Sequence, residues 1–220
     1  MALRSDYDDD PLRWGSWRPA QDVPDLVGPE MRGPVLDVGC GEGRLASAVG
    51  AEVVWVGVDA SQTQLACNPY RPVVQADMRA LPFRDGAFAE VAQLWCLYHV
   101  DDPGSAVAEA LRVLRPGGRY FACTNSRRSD PELMWEGYPG TSFDAEEAAE
   151  IVREHFVDLE EERWDQKLYP LKTRDEVAAF CRHHFISVER AEGVELPLWL
   201  TKRGVLIRAT KSASHAAATE

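Results

Sequence analysis

The stretch Val35-Leu36-Asp37-Val38-Gly39-Cys40-Gly41-Glu42-Gly43 decides the reading of this 220-residue chain. Its first four residues are a short apolar run carrying one carboxylate, and three glycines then alternate with Cys40 and Glu42. Glycine belongs where the backbone takes a positive φ or must approach a ligand closely. Directly afterwards, residues 42–49 have helical spacing. A strand that hands over to a helix through glycines puts them at the carboxyl edge of an α/β sheet, where ligands bind. The helix start in the same place favours an anionic group.

The glycine spacing separates two cofactor classes. A dinucleotide loop reads Gly-x-Gly-x-x-Gly. Here the order is Gly-x-Gly-x-Gly, and Arg44 stands where the third dinucleotide glycine would be.

Working outward, residues 53–58 are a second apolar run, ended by Asp59, and Ser61 caps a helix that runs to Cys67. Residues 72–75 form a third strand and residues 88–95 a fourth, preceded by the turn Asp85-Gly86. A helix over 105–114 stops at Pro116-Gly117-Gly118, and residues 119–124 are a fifth strand. Asp101 and Asp102 cap the helix near Pro103. This alternation predicts βαβ units and a parallel sheet with helices on both faces. After Thr124 the pattern predicts a helix over 144–155 with Asp144 as N-cap and a strand over 157–168. A helix over 174–184 follows, with Thr173 and Glu176 as its capping box, and then a last strand over 204–210. The expected organisation is one α/β domain over 1–211, with an N-terminal cap segment (1–32), a cofactor-binding core (33–124) and a C-terminal part with an acceptor cap (125–211). Residues 212–220 are small and polar, and a disordered tail is expected there.

Asp59 lies 20 positions after Gly39 at a strand end. Its carboxylate suits the two vicinal hydroxyls of a ribose. It also suits the start of the helix that follows, and the two roles are compatible.

The segment VLDVGCGEGRLA resembles the first motif of class I S-adenosylmethionine-dependent methyltransferases, in their small-molecule, methyltransferase type 11-like branch. Three later stretches resemble the same family: Gln75-Ala76-Asp77-Met78, the run 94–103 from Leu94 to Pro103, and Glu109-x-x-Arg112-Val113-Leu114-Arg115-Pro116-Gly117-Gly118. The resemblance covers about residues 33–124. It implies a Rossmann-like, seven-stranded, mostly parallel sheet whose last strand is antiparallel, with S-adenosyl-L-methionine as cofactor. The glycine loop would pass under the methionine part of the cofactor, Asp59 would meet the ribose, and Asp77 with Met78 would meet the adenine amine and ring. The implied cofactor contacts are Asp37, Gly39, Cys40, Gly41, Gly43, Asp59, Ala60, Ser61, Asp77, Met78, Leu94 and Trp95.

A sulfonium methyl is already activated, so the enzyme mainly has to align a nucleophile with it. A base is needed only for a protonated acceptor. His99 is the candidate base and Tyr98 the candidate for orienting an acceptor. The bland readings beside them are a structural histidine and a packing aromatic. Trp95 is either structural or an edge of the adenine pocket. His183 and His184 are adjacent, point to different faces of a helix, and are not read as metal ligands; no metal is expected. Trp135, Tyr138 and Phe143 are candidates for an apolar acceptor pocket, and Trp14 and Trp17 for packing of the N-terminal segment.

The net charge of −12 disfavours a nucleic-acid partner. The family's amine-methylating branches often carry Asn-Pro-Pro-Tyr or Asp-Pro-Pro-Tyr where this chain has Cys96-Leu97-Tyr98-His99, so a small, partly apolar acceptor is expected. Five cysteines with no Cys-x-x-Cys pair point to a reducing compartment, and no apolar run reaches membrane-span length. A cytoplasmic monomer or homodimer is expected. The alternatives are a nicotinamide-dependent oxidoreductase on a Rossmann sheet and a non-catalytic binding module that keeps the fold.

Overall fold

The computed structural model describes residues 22–134, 140–184 and 186–213. Trp14, Trp17, Trp135, Tyr138 and most of the C-terminal tail lie outside the described residues.

Seven strands form one sheet in the order β3-β2-β1-β4-β5-β7-β6. They are β1 (Val35–Val38), β2 (Trp55–Asp59), β3 (Val73–Gln75), β4 (Phe88–Leu94), β5 (Leu114–Asn125), β6 (Asp158–Leu171) and β7 (Leu198–Thr210). The first five are parallel to one another, and β7 is antiparallel to both β5 and β6. This is the expected Rossmann-like arrangement. The order reverses between β1 and β4, which opens the crevice where ligands of such sheets bind.

Strand alternation sends side chains to two cores. Leu36, Val38, Val91, Tyr120, Ala122, Val205 and Ile207 pack on one face beneath α4 (Pro103–Val113) and α5 (Ala148–Arg153). Val35, Ala92, Leu94, Phe121, Cys123 and Leu206 pack on the other, beneath α1 (Val23–Val27), α2 (Arg44–Ala48) and α3 (Gln62–Cys67). A third, separate cluster joins α6 (Arg174–His183) to the far ends of β6 and β7 through Val177, Phe180, Leu171 and Leu200. That cluster stands on the part of the β6–β7 ladder that runs past the end of β5, since β5 stops at the Asn125–Gly204 pair. Beside it, Asp130, in the left-handed region at φ 54°, is buried and ion-paired with Lys202 at 2.7 Å.

Several caps fall where the sequence puts them. Ser61 Oγ accepts from Gln64 N, Asp102 from Ser105 N, and Thr173 and Glu176 form a reciprocal capping box. Asp144 does not cap the following helix. Its carboxylate turns back to the Thr141 amide and hydroxyl, both at 2.8 Å, and α5 begins only at Ala148. Strand β5 begins at Leu114 rather than after the Pro-Gly-Gly turn, β6 extends to Leu171, and β7 begins at Leu198, six residues before the predicted start.

Candidate active site at the carboxyl edge of β1, β2 and β4

The glycine loop is built by backbone conformation. Gly39, Gly41 and Gly43 have φ of 74°, 47° and 86°, all in the left-handed region. The amides of Gly39 and Cys40 both donate to Val58 O, at 2.7 and 3.0 Å, which ties the loop to β2. At Gly39 there is no room for a side chain, because a Cβ there would meet Cys96 Cβ at 2.5 Å. Gly41 is different: a Cβ there would meet only Gln64 Oε1, at 3.7 Å, so open space lies over its backbone.

Asp59, buried at the end of β2, holds the loop from the opposite side. Its Oδ2 accepts from Gly41 N and its Oδ1 from Ser61 N, both at 2.9 Å. Asp37 sits one strand over, buried, and accepts from Trp55 Nε1 at 3.2 Å. Burial pushes the Asp37 carboxyl up to about 7; the Trp55 hydrogen bond opposes this and the Asp59 charge adds to it. Burial likewise pushes the Cys40 and Cys96 thiols far above the usual thiol range, with Asp37 and Asp59 adding to the effect. Both cysteines are therefore neutral packing residues, and Cys96 Sγ donates to Val38 O.

Two residues that the sequence did not single out, Gln64 of α3 and its C-cap Asn68, face the loop. Asn68 is buried; its Nδ2 donates to Gly41 O at 2.8 Å and its Oδ1 accepts from Tyr70 N at 2.9 Å. Gln64 is also buried, and its Nε2 has no hydrogen-bond partner among the described residues. The Asn68-Pro69 dipeptide is a turn signal that was available from sequence. Nothing in the pattern marks Gln64. Replacing Asn68 with alanine is expected to lower unfolding free energy by about 1–3 kcal/mol, because the Gly41 carbonyl and the Tyr70 amide lose a buried partner. Urea unfolding of Asn68→Ala checks this, and a loss below about 0.5 kcal/mol would show that the loop does not depend on it.

At the end of β3, Asp77 is half-exposed and forms a two-pronged pair with Arg79, with Nη2–Oδ2 at 2.6 Å and Nε–Oδ1 at 3.0 Å. The side-chain hydrogen bonds from Arg79 hold its carboxyl below the usual range. Met78 is partly buried against the α4/α5 core. Ala60 carries its carbonyl toward β3, accepting from Gln75 Nε2 at 3.1 Å.

Leu94 is buried at the end of β4. Trp95 follows with φ 58°, a costly conformation for a bulky residue. Three contacts hold it: its amide donates to Cys123 O, its indole N–H to Asp22 Oδ1 at 3.2 Å, and its ring stands edge-on to Trp164 at 5.9 Å. The ring thus meets β6 and the start of α1, rather than Asp59 or Asp77. Next comes a 3-10 turn, Leu97–His99, which brings the Tyr98 and His99 rings to 4.5 Å. Cys96 both packs on Gly39 and begins this turn, since His99 N donates to Cys96 O. The glycine loop and the histidine turn are therefore in direct contact.

The donor set fits an S-adenosyl group. Two carboxylates stand at adjacent strand ends, the backbone at Gly41 is open, and a buried amide nitrogen beside it lacks a partner. Among the described residues no group of three or more His, Cys, Asp or Glu side chains could hold a metal ion. No described helix is long and apolar enough to cross a membrane.

Comparison with known proteins gives the same picture. Residues 36–122 match a family model described as a methyltransferase domain. The chain is 32% identical over 115 residues to an O-methyltransferase, resE, of Aspergillus sclerotiorum, an alignment spanning 46% of this chain and 44% of that protein. It is 37% identical over 112 residues to a ubiquinone biosynthesis O-methyltransferase of Thiobacillus denitrificans, across 46% and 47% of the two chains. The chain thus spans less than half the length of these curated relatives. The YcgJ protein of Bacillus subtilis shares the fold, with a TM-score of 0.60 at 18% identity over 81% of this chain and 92% of that one. Residues 36–122, which carry the glycine loop and most of the parallel part of the sheet, are thus similar to a methyltransferase domain, and the sheet as a whole has the fold of YcgJ.

Proposed function

We propose that the chain binds S-adenosyl-L-methionine across the carboxyl ends of β1, β2 and β3 and methylates a small, partly apolar molecule. The observation that carries this reading is the clamp of Asp59 on the Gly41 amide, which fixes an open glycine backbone beside a buried carboxylate. In it, the glycine loop supports the methionine part, Asp59 accepts from the ribose hydroxyls, and Asp77 accepts from the adenine amine with a lone pair that Arg79 leaves over. When bound, the cofactor supplies an electrophilic methyl on a sulfonium.

The acceptor stands beside the Leu97–His99 turn. Two of the relatives are O-methyltransferases by name, which favours a hydroxyl acceptor. A phenol or alcohol is protonated at neutral pH, so His99 serves as the base that takes its proton, and Tyr98 orients it. The new carbon–oxygen bond forms as the carbon–sulfur bond breaks, and S-adenosylhomocysteine leaves. A nicotinamide reading fares worse. The position of the third dinucleotide glycine is filled by Arg44, whose guanidinium pairs with Asp25 at 3.1 Å.

Calorimetric titration with S-adenosylhomocysteine at pH 7.5 is expected to show one site per chain with roughly micromolar affinity. Absence of binding up to millimolar ligand would sink the proposal. Mass analysis of small phenols incubated with methyl-labelled cofactor then tests the transfer itself.

A further inference from the structure

Two carboxamides, Gln64 in α3 and Asn68 at its C-cap, meet the glycine loop, and their situations differ. Asn68 is fully used by the protein, since its amine bonds the Gly41 carbonyl and its oxygen the Tyr70 amide. Gln64, four residues earlier, is equally buried, yet its Nε2 has no partner among the described residues. An apolar side chain of the same length would fill that space with no unmet donor, so a glutamine there is unfavourable for the protein alone.

Its surroundings say what it faces. Gln64 Oε1 lies 3.7 Å from where a Gly41 Cβ would be, so the carboxamide borders the open space over Gly41, and turning it end for end, which leaves its outline unchanged, presents Nε2 there. Gly41 is also the residue whose amide Asp59 Oδ2 binds. The Gln64 backbone amide donates to Ser61 Oγ at 3.2 Å, and the Ser61 amide donates to the other oxygen of Asp59. Gln64, Gly41, Ser61 and Asp59 are thus one connected group. It offers acceptors from the carboxylate and one unspent donor from the glutamine.

We propose that Gln64 Nε2 donates a hydrogen bond to a ribose hydroxyl oxygen of the bound nucleoside, while that hydroxyl donates its proton to Asp59. A hydroxyl is both donor and acceptor, so it completes both groups at once. Gln64 is then a binding residue for the diol, and it makes the site selective for ribo- over deoxyribonucleosides. This rests on the reading of the site as a nucleoside-cofactor site.

The test is calorimetric titration of the wild-type chain and of Gln64→Met and Gln64→Leu with three probes: S-adenosylhomocysteine and its 2′-deoxy and 3′-deoxy analogues. Thermal unfolding without ligand is measured alongside. Both variants are expected to bind S-adenosylhomocysteine about tenfold more weakly, as one lost neutral hydrogen bond implies. That factor is expected to fall to about twofold or less with whichever analogue lacks the partner hydroxyl. The unliganded variants are expected to unfold no earlier than wild type, because an unmet buried donor has been removed. A structural role for Gln64 would instead lower the unfolding temperature. Variants that bind S-adenosylhomocysteine within twofold of wild type overturn the proposal, as does an equal loss for all three probes. If the wild-type chain itself binds none of the probes, the cofactor reading fails and this inference fails with it; binding by wild type with unaffected variants overturns the inference alone.

Discussion

Asp59→Asn is expected to weaken S-adenosylhomocysteine binding by at least about 100-fold, or roughly 3 kcal/mol, since hydrogen bonds to a charged group contribute about 1.5–3 kcal/mol each and the ribose offers two. The loss has a second source. Asp59 accepts from two backbone amides, one on each oxygen. An asparagine must turn its amine toward either Gly41 N or Ser61 N, so a donor faces a donor. If it faces Gly41, the loop loses its clamp. If it faces Ser61, the start of α3 loosens. Isothermal titration on a variant that retains its circular dichroism spectrum measures the effect. An affinity within fivefold of wild type would show that the carboxylate does not carry the ribose.

The second large effect concerns pH. Burial pushes the Asp37 carboxyl up to about 7, against an ordinary value of 3.8. Because the folded-state value is the higher one, the folded chain holds a proton that the unfolded chain releases. The contribution of this group is fully present below about pH 4 and is lost as the pH rises through 7, by an amount approaching about 4 kcal/mol at 1.36 kcal/mol per unit. Asparagine imitates the neutral acid and keeps an oxygen for the Trp55 indole. Asp37→Asn is therefore expected to exceed wild type in urea unfolding by only about 1 kcal/mol at pH 4.5 and by about 4 kcal/mol at pH 8.5. A stability difference that does not change between those pH values refutes the assignment. Asp59→Asn is expected to bring the Asp37 transition to lower pH, because the neighbouring charge is one of the causes of the shift.

Much of this architecture is legible in the sequence, because period and punctuation carry it. The runs at 35–38, 53–58 and 88–95 are apolar at nearly every position, as strands buried on both faces must be. Ser61, Asp102 and Thr173 signal helix starts by local hydrogen bonding, which needs no tertiary partner. The misplacements share a cause. Asp144 looks like an N-cap, but its nearest donors lie behind it at Thr141. Residues 198–203 run from apolar (Leu198, Trp199, Leu200) to polar (Thr201, Lys202, Arg203) without strand alternation, and pairing with β6 makes them a strand. The site divides in the same way. The glycines and Asp59 announce themselves by spacing. Asn68, Gln64 and the Asp22 contact to Trp95 depend on which helix face meets which loop, and a single sequence does not encode that in any period. Asp77 shows the limit from the other side. Its position is readable, but its pairing with Arg79, two residues on, comes from a turn conformation.

The place of β7 has a consequence for the order in which the molecule is made. The strands that build the cofactor edge are all present once Asn125 has been synthesised, yet β5 then has an open side. Its partner is β7, the last strand of the chain, which pairs along β5 from Asn125–Gly204 to Arg119–Thr210. Val205, Leu206 and Ile207 of that strand enter both main cores, and β6 reaches the sheet only through β7. A nascent chain therefore carries an unpaired hydrophobic strand edge through more than seventy residues of translation (Asn125 to Leu198), the interval in which such an edge is most exposed to intermolecular pairing. The thirteen-residue β7 acts as a keystone: the half that carries the glycine loop is encoded early, but it is closed only by residues that leave the ribosome later.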